Sequence, residues 1–142
     1  MGGPYSGVVE RSVQELFEAA RAVQEHAHAP YSGFRVGAAL RAGSGRIHAG
    51  CNVENASFPE GICAEAAAIG AMVAAGDREI VEVLTVADGD DLVTCCGGCR
   101  QRIREFAGPT VPVHAAGPDG VRRTFTVAEL LPASFTAAQL PG

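Results

Sequence analysis

Three cysteines stand within five positions in the stretch VTCCGGCRQ, at Cys95, Cys96 and Cys99. Two cysteines with two residues between them form a recurrent zinc-binding pair, which favours Cys96 with Cys99 over Cys95 with Cys99. Cys63, near the start of another segment with high helix propensity, can supply a third thiolate. Helix N-termini stabilise thiolates through unpaired N–H groups, and Zn²⁺ binds thiolates readily. The spacing therefore predicts one metal site, although buried or redox cysteines would explain a lone C-x-x-C equally well.

Glu65 follows Cys63 by two residues and suggests that the metal site is catalytic. A structural zinc site takes four protein ligands, whereas a catalytic site keeps one position open for water. A carboxylate beside that open position can take a proton from the water and return it to a substrate. The alternative for Glu65 is an acidic residue in the first turn of a helix, stabilised by the helix dipole. The four histidines of the chain are excluded from the predicted site because none stands at a ligand-like position.

The composition limits the class of protein and partner. A chain of 142 residues has the size of one domain, and 47% apolar against 19% charged residues favours an oligomer that buries apolar surface between subunits. The net charge of −5, without a Lys/Arg cluster, argues against a nucleic acid polymer and favours a small-molecule partner. The sequence shows neither an apolar leader nor a membrane-length apolar stretch. We therefore expect a cytoplasmic protein with no membrane partner and with reduced cysteines.

Hydrophobic periodicity predicts the elements that must position these residues. Apolar residues at three- and four-residue steps indicate an amphipathic helix over 8–28, ended before Pro30. The segment FRVGAALRAGSGRIHAGCNVE predicts two strands around a turn at 43–45. The segment that holds Cys63 predicts a buried helix, with Gly76 suited to the position after its C-terminus.

The second half of the chain alternates strands with helices. The predicted elements are a strand in EIVEVLTVAD, a helix in CGGCRQRIREFAG, strands in TVPVHAAG and VRRTFTV, and a short helix in VAELLP. We expect a single α/β domain over 1–142, in which helices cover a mixed sheet of about five strands. Residues 1–7 and 137–142 are expected to be loose ends.

Four segments, taken in order and spacing, resemble the small homotetrameric, zinc-dependent class of the cytidine/deoxycytidylate deaminase family. They are APYSGFRVGAAL at 29–40, GCNVENASFPEGICAEAAAI at 50–69, CGGCRQ at 96–101 and TVAELLPASF at 126–135. C-x-E followed by C-x-x-C is the zinc-deaminase signature, with Cys in place of His at the first ligand. The resemblance covers most of the chain and implies the three-layer fold of that family. It also implies a hydrolase that deaminates cytidine and deoxycytidine to uridine and deoxyuridine with release of ammonia, in pyrimidine salvage.

The resemblance also implies a role for individual residues. Cys63, Cys96 and Cys99 would hold one Zn²⁺ per subunit, and Glu65 would shuttle protons between water and substrate. The implied substrate-binding residues are Phe34 near the base, Asn52 and Glu54 on the ribose hydroxyls, backbone groups at Ala64 and Cys96, and Phe135. Phe135 would reach the active site of a neighbouring subunit, so that a homotetramer completes each pocket.

The sequence departs from the family pattern at three positions. Cys95 stands where many relatives have Pro, Ala66 where many have Arg, and Phe58 where Tyr is usual. Three thiolates leave a zinc centre with a formal charge of −1, which makes a bound water harder to ionise. We expect helix N–H groups and Arg100 to offset that charge in place of the missing arginine. A nearby cation lowers a thiol pKa, so Cys95 is expected to be oxidation-prone.

Two other functions fit parts of the pattern. A deaminase of a related aminopyrimidine nucleoside, such as blasticidin S, would use the same fold, but NVEN at 52–55 favours a ribose-reading site. A non-catalytic zinc-binding module fits poorly with three ligands and a free glutamate. Editing of a nucleic acid polymer is disfavoured by the acidic net charge.

Overall fold

The computed structural model describes residues 6–141, and its side chains from Glu10 onward. The helices are α1 (Ser6–Gln24), α2 (Ala64–Ala74), α3 (Gly97–Phe106) and α4 (Val127–Leu130), and the strands are β1 (Val36–Ala42), β2 (Ile47–Cys51), β3 (Ile80–Ala87), β4 (Pro112–Gly117) and β5 (Gly120–Thr126). Short 3₁₀ turns occupy Phe58–Glu60 and Ala137–Gln139. The predicted loose ends lie partly outside the described residues, at 1–5 and 142. In the described part of the C-terminal end, Gln139 forms a capping box with Thr136, the residue just before that end.

The sheet has five strands in the order β2-β1-β3-β4-β5. Strands β3 and β4 are parallel, and the other neighbouring pairs are antiparallel. A parallel pair needs a crossover connection, which here contains α3. The prediction of a mixed sheet of about five strands is confirmed.

Helices cover both faces of the sheet. On one face α1 packs through Leu16 and Ala20 against Ala39, Leu84 and Val86. On the other face α2, α3 and α4 form a second core cluster with the alternate strand residues: Met72 of α2 and Ile103 of α3 belong to it with Ala38, Leu40 and Val83 of the sheet. Because successive strand residues point to opposite faces, one sheet supports two separate cores. The predicted three-layer fold is therefore confirmed.

Two predicted elements differ from the structure. Helix α1 ends at Gln24 rather than at His28, because His28 pairs with the loop after β2: its N–H donates to the Asn52 carbonyl at 3.0 Å and its carbonyl accepts from the Glu54 N–H at 2.8 Å. Helix α2 is buried on one face only. The opposite face leaves Gly70, Ala71 and Ala74 exposed.

Gly76 ends α2 as the sequence predicts. Its φ is 98°, and its N–H donates to the Val73 carbonyl at 3.0 Å. The Asp77 N–H donates to the Met72 carbonyl at 3.1 Å, which completes a Schellman motif. This motif fixes the C-terminus of the helix whose N-terminus carries Cys63.

Gly50 of β2 sets how closely α2 approaches the sheet. A Cβ atom at this position would lie 2.5 Å from the backbone nitrogen of Ala68 and 2.7 Å from the Cβ of Ala67. Glycine is therefore the residue that lets the backbone of α2 rest directly on β2.

Within residues 6–141, no helix combines the length and the apolar character needed to cross a membrane.

Candidate active site

The two helices that follow β2 and β3 begin at cysteines. Cys63 is the N-cap residue of α2, Cys96 is the N-cap residue of α3, and Cys99 lies one turn into α3. The three Sγ atoms lie within 4.8 Å of one another. The part of the chain that the structure describes contains no other such convergence of three His, Cys, Asp or Glu side chains.

The arrangement of the sulfurs fits a tetrahedral zinc ion. A zinc–sulfur distance of about 2.3 Å gives a sulfur–sulfur edge of about 3.8 Å in a tetrahedron. The distance between Cys63 Sγ and Cys96 Sγ is 3.8 Å. The donors are all soft thiolates, as zinc prefers, and their number leaves one of four coordination positions without a protein ligand.

The surroundings of the thiols differ. The backbone N–H of Cys99 lowers the pKa of the Cys96 thiol, as expected for a thiolate at a helix N-terminus. Burial raises the pKa of the Cys63 thiol, and burial followed by the charge of Glu65 raises that of Cys99. A metal cation is the natural partner for thiolates that the protein alone does not stabilise.

Cys95 lies apart from the three converging sulfurs. Its side chain is buried with 4% exposed, and burial followed by the nearby Glu65 charge raises its pKa to about 11. This burial works against an oxidation-prone thiol, because desolvation outweighs the effect of Arg100. The structure places Cys95 in the apolar core beneath the site.

Two arginines of α3 contact groups near the cysteines. Arg100 donates to the Cys95 carbonyl at 2.8 Å, to the Leu130 carbonyl at 2.9 Å and to Thr94 Oγ1 at 2.8 Å. It therefore ties the loop before α3 to α4, and its guanidinium also acts on the thiol of Cys95. Arg102 Nη1 instead donates to Cys99 Sγ at 3.6 Å. Arg102 is thus a second cation at the site, beside the Arg100 that the sequence indicated.

Glu65 lies in the first turn of α2 and is buried, with 5% of its surface exposed. Thr85 of β3 donates its hydroxyl hydrogen to Glu65 Oε1 at 3.1 Å. Burying a carboxylate to this extent costs free energy unless the carboxylate is hydrogen-bonded or lies near a cation. The burial of Glu65 therefore favours a role at the site over the alternative of an acidic residue that only stabilises the start of a helix.

A cleft of about 230 Å³ opens over the cysteines and Glu65. Six residues predicted from the sequence line it: Phe34, Asn52, Cys63, Ala64, Glu65 and Cys96. The lining also includes Cys95 and three residues that the sequence pattern did not indicate, Thr85, Val93 and Thr94. Of the residues predicted to contact substrate, Glu54 and Phe135 lie outside this cleft.

Asn52 and Glu54 are held by the loop between α1 and β1. Asn52 Oδ1 accepts from the Val36 N–H at 2.9 Å, and its Nδ2 donates to the Phe34 carbonyl at 2.8 Å. The Glu54 carboxylate accepts from the N–H groups of Tyr31 and Ser32, at 2.9 and 3.2 Å, and from the Ser32 hydroxyl. The Ser32 hydroxyl is the main cause of the lowered pKa of Glu54. Glu54 lines an adjacent cavity with Phe58, about 390 Å³ in volume.

Phe135 lies in the segment after α4 and is 56% exposed. Its carbonyl accepts from Gln101 Nε2 at 2.9 Å, which fixes the segment on α3. The ring borders a surface cavity with Arg104 and Glu105 and does not reach the cleft of its own chain.

Comparison with known proteins identifies the family. A family model described as the cytidine and deoxycytidylate deaminase zinc-binding region matches residues 10–115. The chain belongs to this deaminase family. A cytidine deaminase from Sporosarcina psychrophila is 40% identical over 128 residues, which are 90% of this chain and 94% of that protein. A cytidine deaminase from Halalkalibacterium halodurans is 39% identical over 127 residues, 89% of this chain and 96% of that protein.

Solved structures of cytidine deaminases share the fold. The crystal structure of the enzyme from Burkholderia pseudomallei has a TM-score of 0.81 at 40% identity, and the match covers 86% of this chain and 98% of that chain. The enzyme from Mycobacterium leprae has a TM-score of 0.71 at 39% identity, with 84% and 96% covered. Zinc is thus the metal expected of this deaminase family member, in accord with the three converging thiols.

Two contacts at the deaminase site were not predicted, and the sequence carries a clear signal for only one of them. Cys99 and Arg102 are three residues apart on a helix and therefore share a face. Thr85 is a hydroxyl residue within the apolar strand IVEVLTVA. Its position alone does not reveal a partner, because Glu65 comes from a different element.

Proposed function

We propose that the protein catalyses the hydrolytic deamination of cytidine and deoxycytidine, giving uridine or deoxyuridine and ammonia. The observation that carries this proposal is the buried Glu65 carboxylate beside three converging thiols in one cleft. Relatives named cytidine deaminase, 40% and 39% identical over nearly the whole chain, support the same activity. The buried glutamate argues against a zinc module without catalytic function, which would need no proton carrier.

Cys63, Cys96 and Cys99 are the proposed zinc ligands, and the ion, when bound, supplies a Lewis acid that makes water nucleophilic near neutral pH. Glu65 is the proposed proton carrier. Its carboxylate accepts a proton from the attacking water, whose oxygen bonds to C4 of the base, and returns that proton to N3. The proton of the new C4 hydroxyl then passes to the amino group, the C4–N bond breaks, and ammonia leaves as the C4 carbonyl forms.

The remaining residues bind and orient the nucleoside in this proposal. Phe34 borders the cleft and offers an aromatic edge to the base, and the backbone of Ala64 lies at the N-terminus of α2, where unpaired N–H groups face the ligand. Asn52 and Glu54 are the residues proposed to bind the ribose hydroxyls, Asn52 from the cleft and Glu54 from the cavity that it lines with Phe58. Both are already hydrogen-bonded to the 31–36 loop, so that loop is fixed before substrate binds. Prior fixation reduces the entropy lost on binding.

We also propose a cytoplasmic homotetramer with shared active sites that serves pyrimidine salvage. The exposed face of α2, together with Phe58 and Phe135 at 74% and 56% exposure, supplies apolar surface for subunit contacts. The five cysteines are unpaired, as expected in a reducing compartment.

The proposed activity is tested by following the loss of cytidine absorbance on addition of zinc-loaded protein, with deoxycytidine as a second substrate. Glu65→Gln keeps the size of the side chain and removes the proton carrier, so we expect zinc to be retained and turnover to fall by at least about 10²-fold. Zinc-loaded protein that leaves cytidine unchanged would contradict the proposed function. Near-normal turnover by zinc-loaded Glu65→Gln would contradict the role of Glu65.

A further inference from the structure

Thr85 is the one donor that the protein gives to the Glu65 carboxylate within the described chain. Its hydroxyl lies 3.1 Å from Glu65 Oε1, and both residues are buried, with 3% and 5% of their surfaces exposed. The second carboxylate oxygen, Oε2, has no hydrogen-bond partner among the described residues. The two oxygens of Glu65 are therefore not equivalent.

The sheet is built to bring this hydroxyl to the helix. Thr85 is paired with Ala38 on β1 and with Ala115 on β4. Cross-strand neighbours share a face of the sheet, so two small side chains flank Thr85 and leave room for α2 above it. Val83, two residues earlier on β3, belongs to the apolar core on this same face. A hydroxyl at Thr85 is thus an exception in an apolar surface, and it points at the carboxylate.

We infer that Thr85 is a positioning residue for the proton transfers assigned to Glu65. By donating to Oε1, the hydroxyl fixes the rotation of the carboxylate and leaves Oε2 as the oxygen that accepts and returns the proton. Proton transfer requires the carrier to stay within hydrogen-bond reach of both water and base. Without the hydroxyl, the carboxylate rotates freely and spends less time in the productive orientation. This inference rests on the proposed deaminase function.

The test compares Thr85→Val with Thr85→Ser in zinc-loaded protein. Valine keeps the branched shape and suits a strand, whereas serine keeps the hydroxyl and loses a methyl group. We expect Thr85→Val to lower kcat for cytidine by about 10-fold, the size expected for one hydrogen bond to a charged group, with KM and zinc content unchanged. Thr85→Ser should recover most of that loss.

A double variant separates positioning from a structural role. If Thr85 acts through Glu65, adding Thr85→Val to Glu65→Gln should lower kcat by much less than the 10-fold seen when Thr85→Val is made alone. If Thr85→Val causes a general structural defect, the two losses in kcat should instead multiply. A kcat within about 2-fold of wild type for Thr85→Val, equal losses for the valine and serine variants, or loss of zinc in Thr85→Val would each overturn the inference. Wild-type protein that leaves cytidine unchanged would instead contradict the proposed function.

Discussion

Cys95 and Cys96 are neighbours in the chain but occupy opposite environments. Cys96 is exposed, its Sγ lies 3.8 Å from that of Cys63, and its thiol pKa is lowered. Cys95 is buried in the core and its thiol pKa is raised to about 11. Chain position therefore decides which thiol can bind a metal: the residue that caps α3 converges with Cys63 and Cys99, and the residue before it does not.

This difference predicts opposite outcomes for two alanine variants. Cys96→Ala should lose zinc and activity together, because a ligand is removed. Cys95→Ala removes a buried sulfur that is not one of the three converging thiols, so it should keep one zinc per chain and most of its turnover, with a small loss of stability. Metal analysis and turnover, measured side by side, check both expectations. Loss of zinc from Cys95→Ala with retention in Cys96→Ala would show that the pairing is wrong.

Arg102 gives a second prediction at the level of the residue. Its guanidinium donates to Cys99 Sγ, and its Nη1 would lie 3.3 Å from a Cβ atom at Gly98, so the side chain lies back over the first turn of α3. A cation there offsets the negative charge of a three-thiolate zinc centre. Arg102→Gln should lower zinc affinity by roughly 10-fold, the lower end for residues that hydrogen-bond to metal ligands.

Competition with a chromogenic chelator measures that affinity without recourse to turnover. Arg102→Lys, which keeps the positive charge, is the matched control and should hold zinc more tightly than Arg102→Gln. Equal zinc affinity in wild type and Arg102→Gln would show that the contact does not support the metal.

The sequence predicted the residues that define the chemistry better than those that support it. Cys63, Cys96, Cys99 and Glu65 stand in a short spacing pattern that chemistry constrains. Thr85 is 20 residues from Glu65 in the chain, and their contact depends on strand phase and on how α2 lies over β3. Local patterns do not encode such a contact, so only the assembled fold reveals it.

At the scale of the secondary-structure elements, the position of α2 on the sheet depends on Gly50 of β2. A Cβ atom there would lie 2.5 Å from the backbone nitrogen of Ala68, so Gly50→Ala forces the helix away from β2. We expect a loss of about 1–3 kcal/mol in the free energy of unfolding, as for other overpacked sites, and weaker zinc binding because α2 carries Cys63 and Glu65. Thermal or denaturant unfolding measures the first effect.

Gly70 provides the control for this prediction within the same helix. It is exposed, and a Cβ atom there would meet no atom within 4 Å. Within the single chain, Gly70→Ala should keep the stability or raise it by about 0.5–1 kcal/mol, since alanine favours the helix and the space around it is free of atoms of the same chain. If both variants unfold like wild type, the close approach of α2 to β2 does not constrain the fold.

Element types were predictable from periodicity, but one boundary was not. The strands and the starts of α2 and α3 follow local patterns of apolar residues, and Gly76 marks the end of α2. The end of α1 is set instead by the pairing of His28 with Asn52 and Glu54, a contact between distant segments. Competition from such non-local pairing is invisible in a window of a few residues.

For the whole molecule, the location of Phe135 bears on how many chains make one active site. The ring is exposed and borders a cavity near Arg104, away from the cleft of its own chain. If it contacts substrate, it does so in a neighbouring subunit, as the tetramer proposal requires. The proposed assembly should then elute with a mass near four times the 14.6 kDa of the chain.

Subunit mixing tests this arrangement directly. Phe135→Ala should lower kcat/KM by roughly 10-fold or more, in the range of an aromatic ring that stacks on a base. Glu65→Gln inactivates a subunit but leaves its Phe135 intact. A site that combines Glu65 from one variant with Phe135 from the other is complete, so co-expressed variants should exceed the summed activities of the two separate proteins. Activity equal to that sum would place Phe135 in its own chain's site or in none.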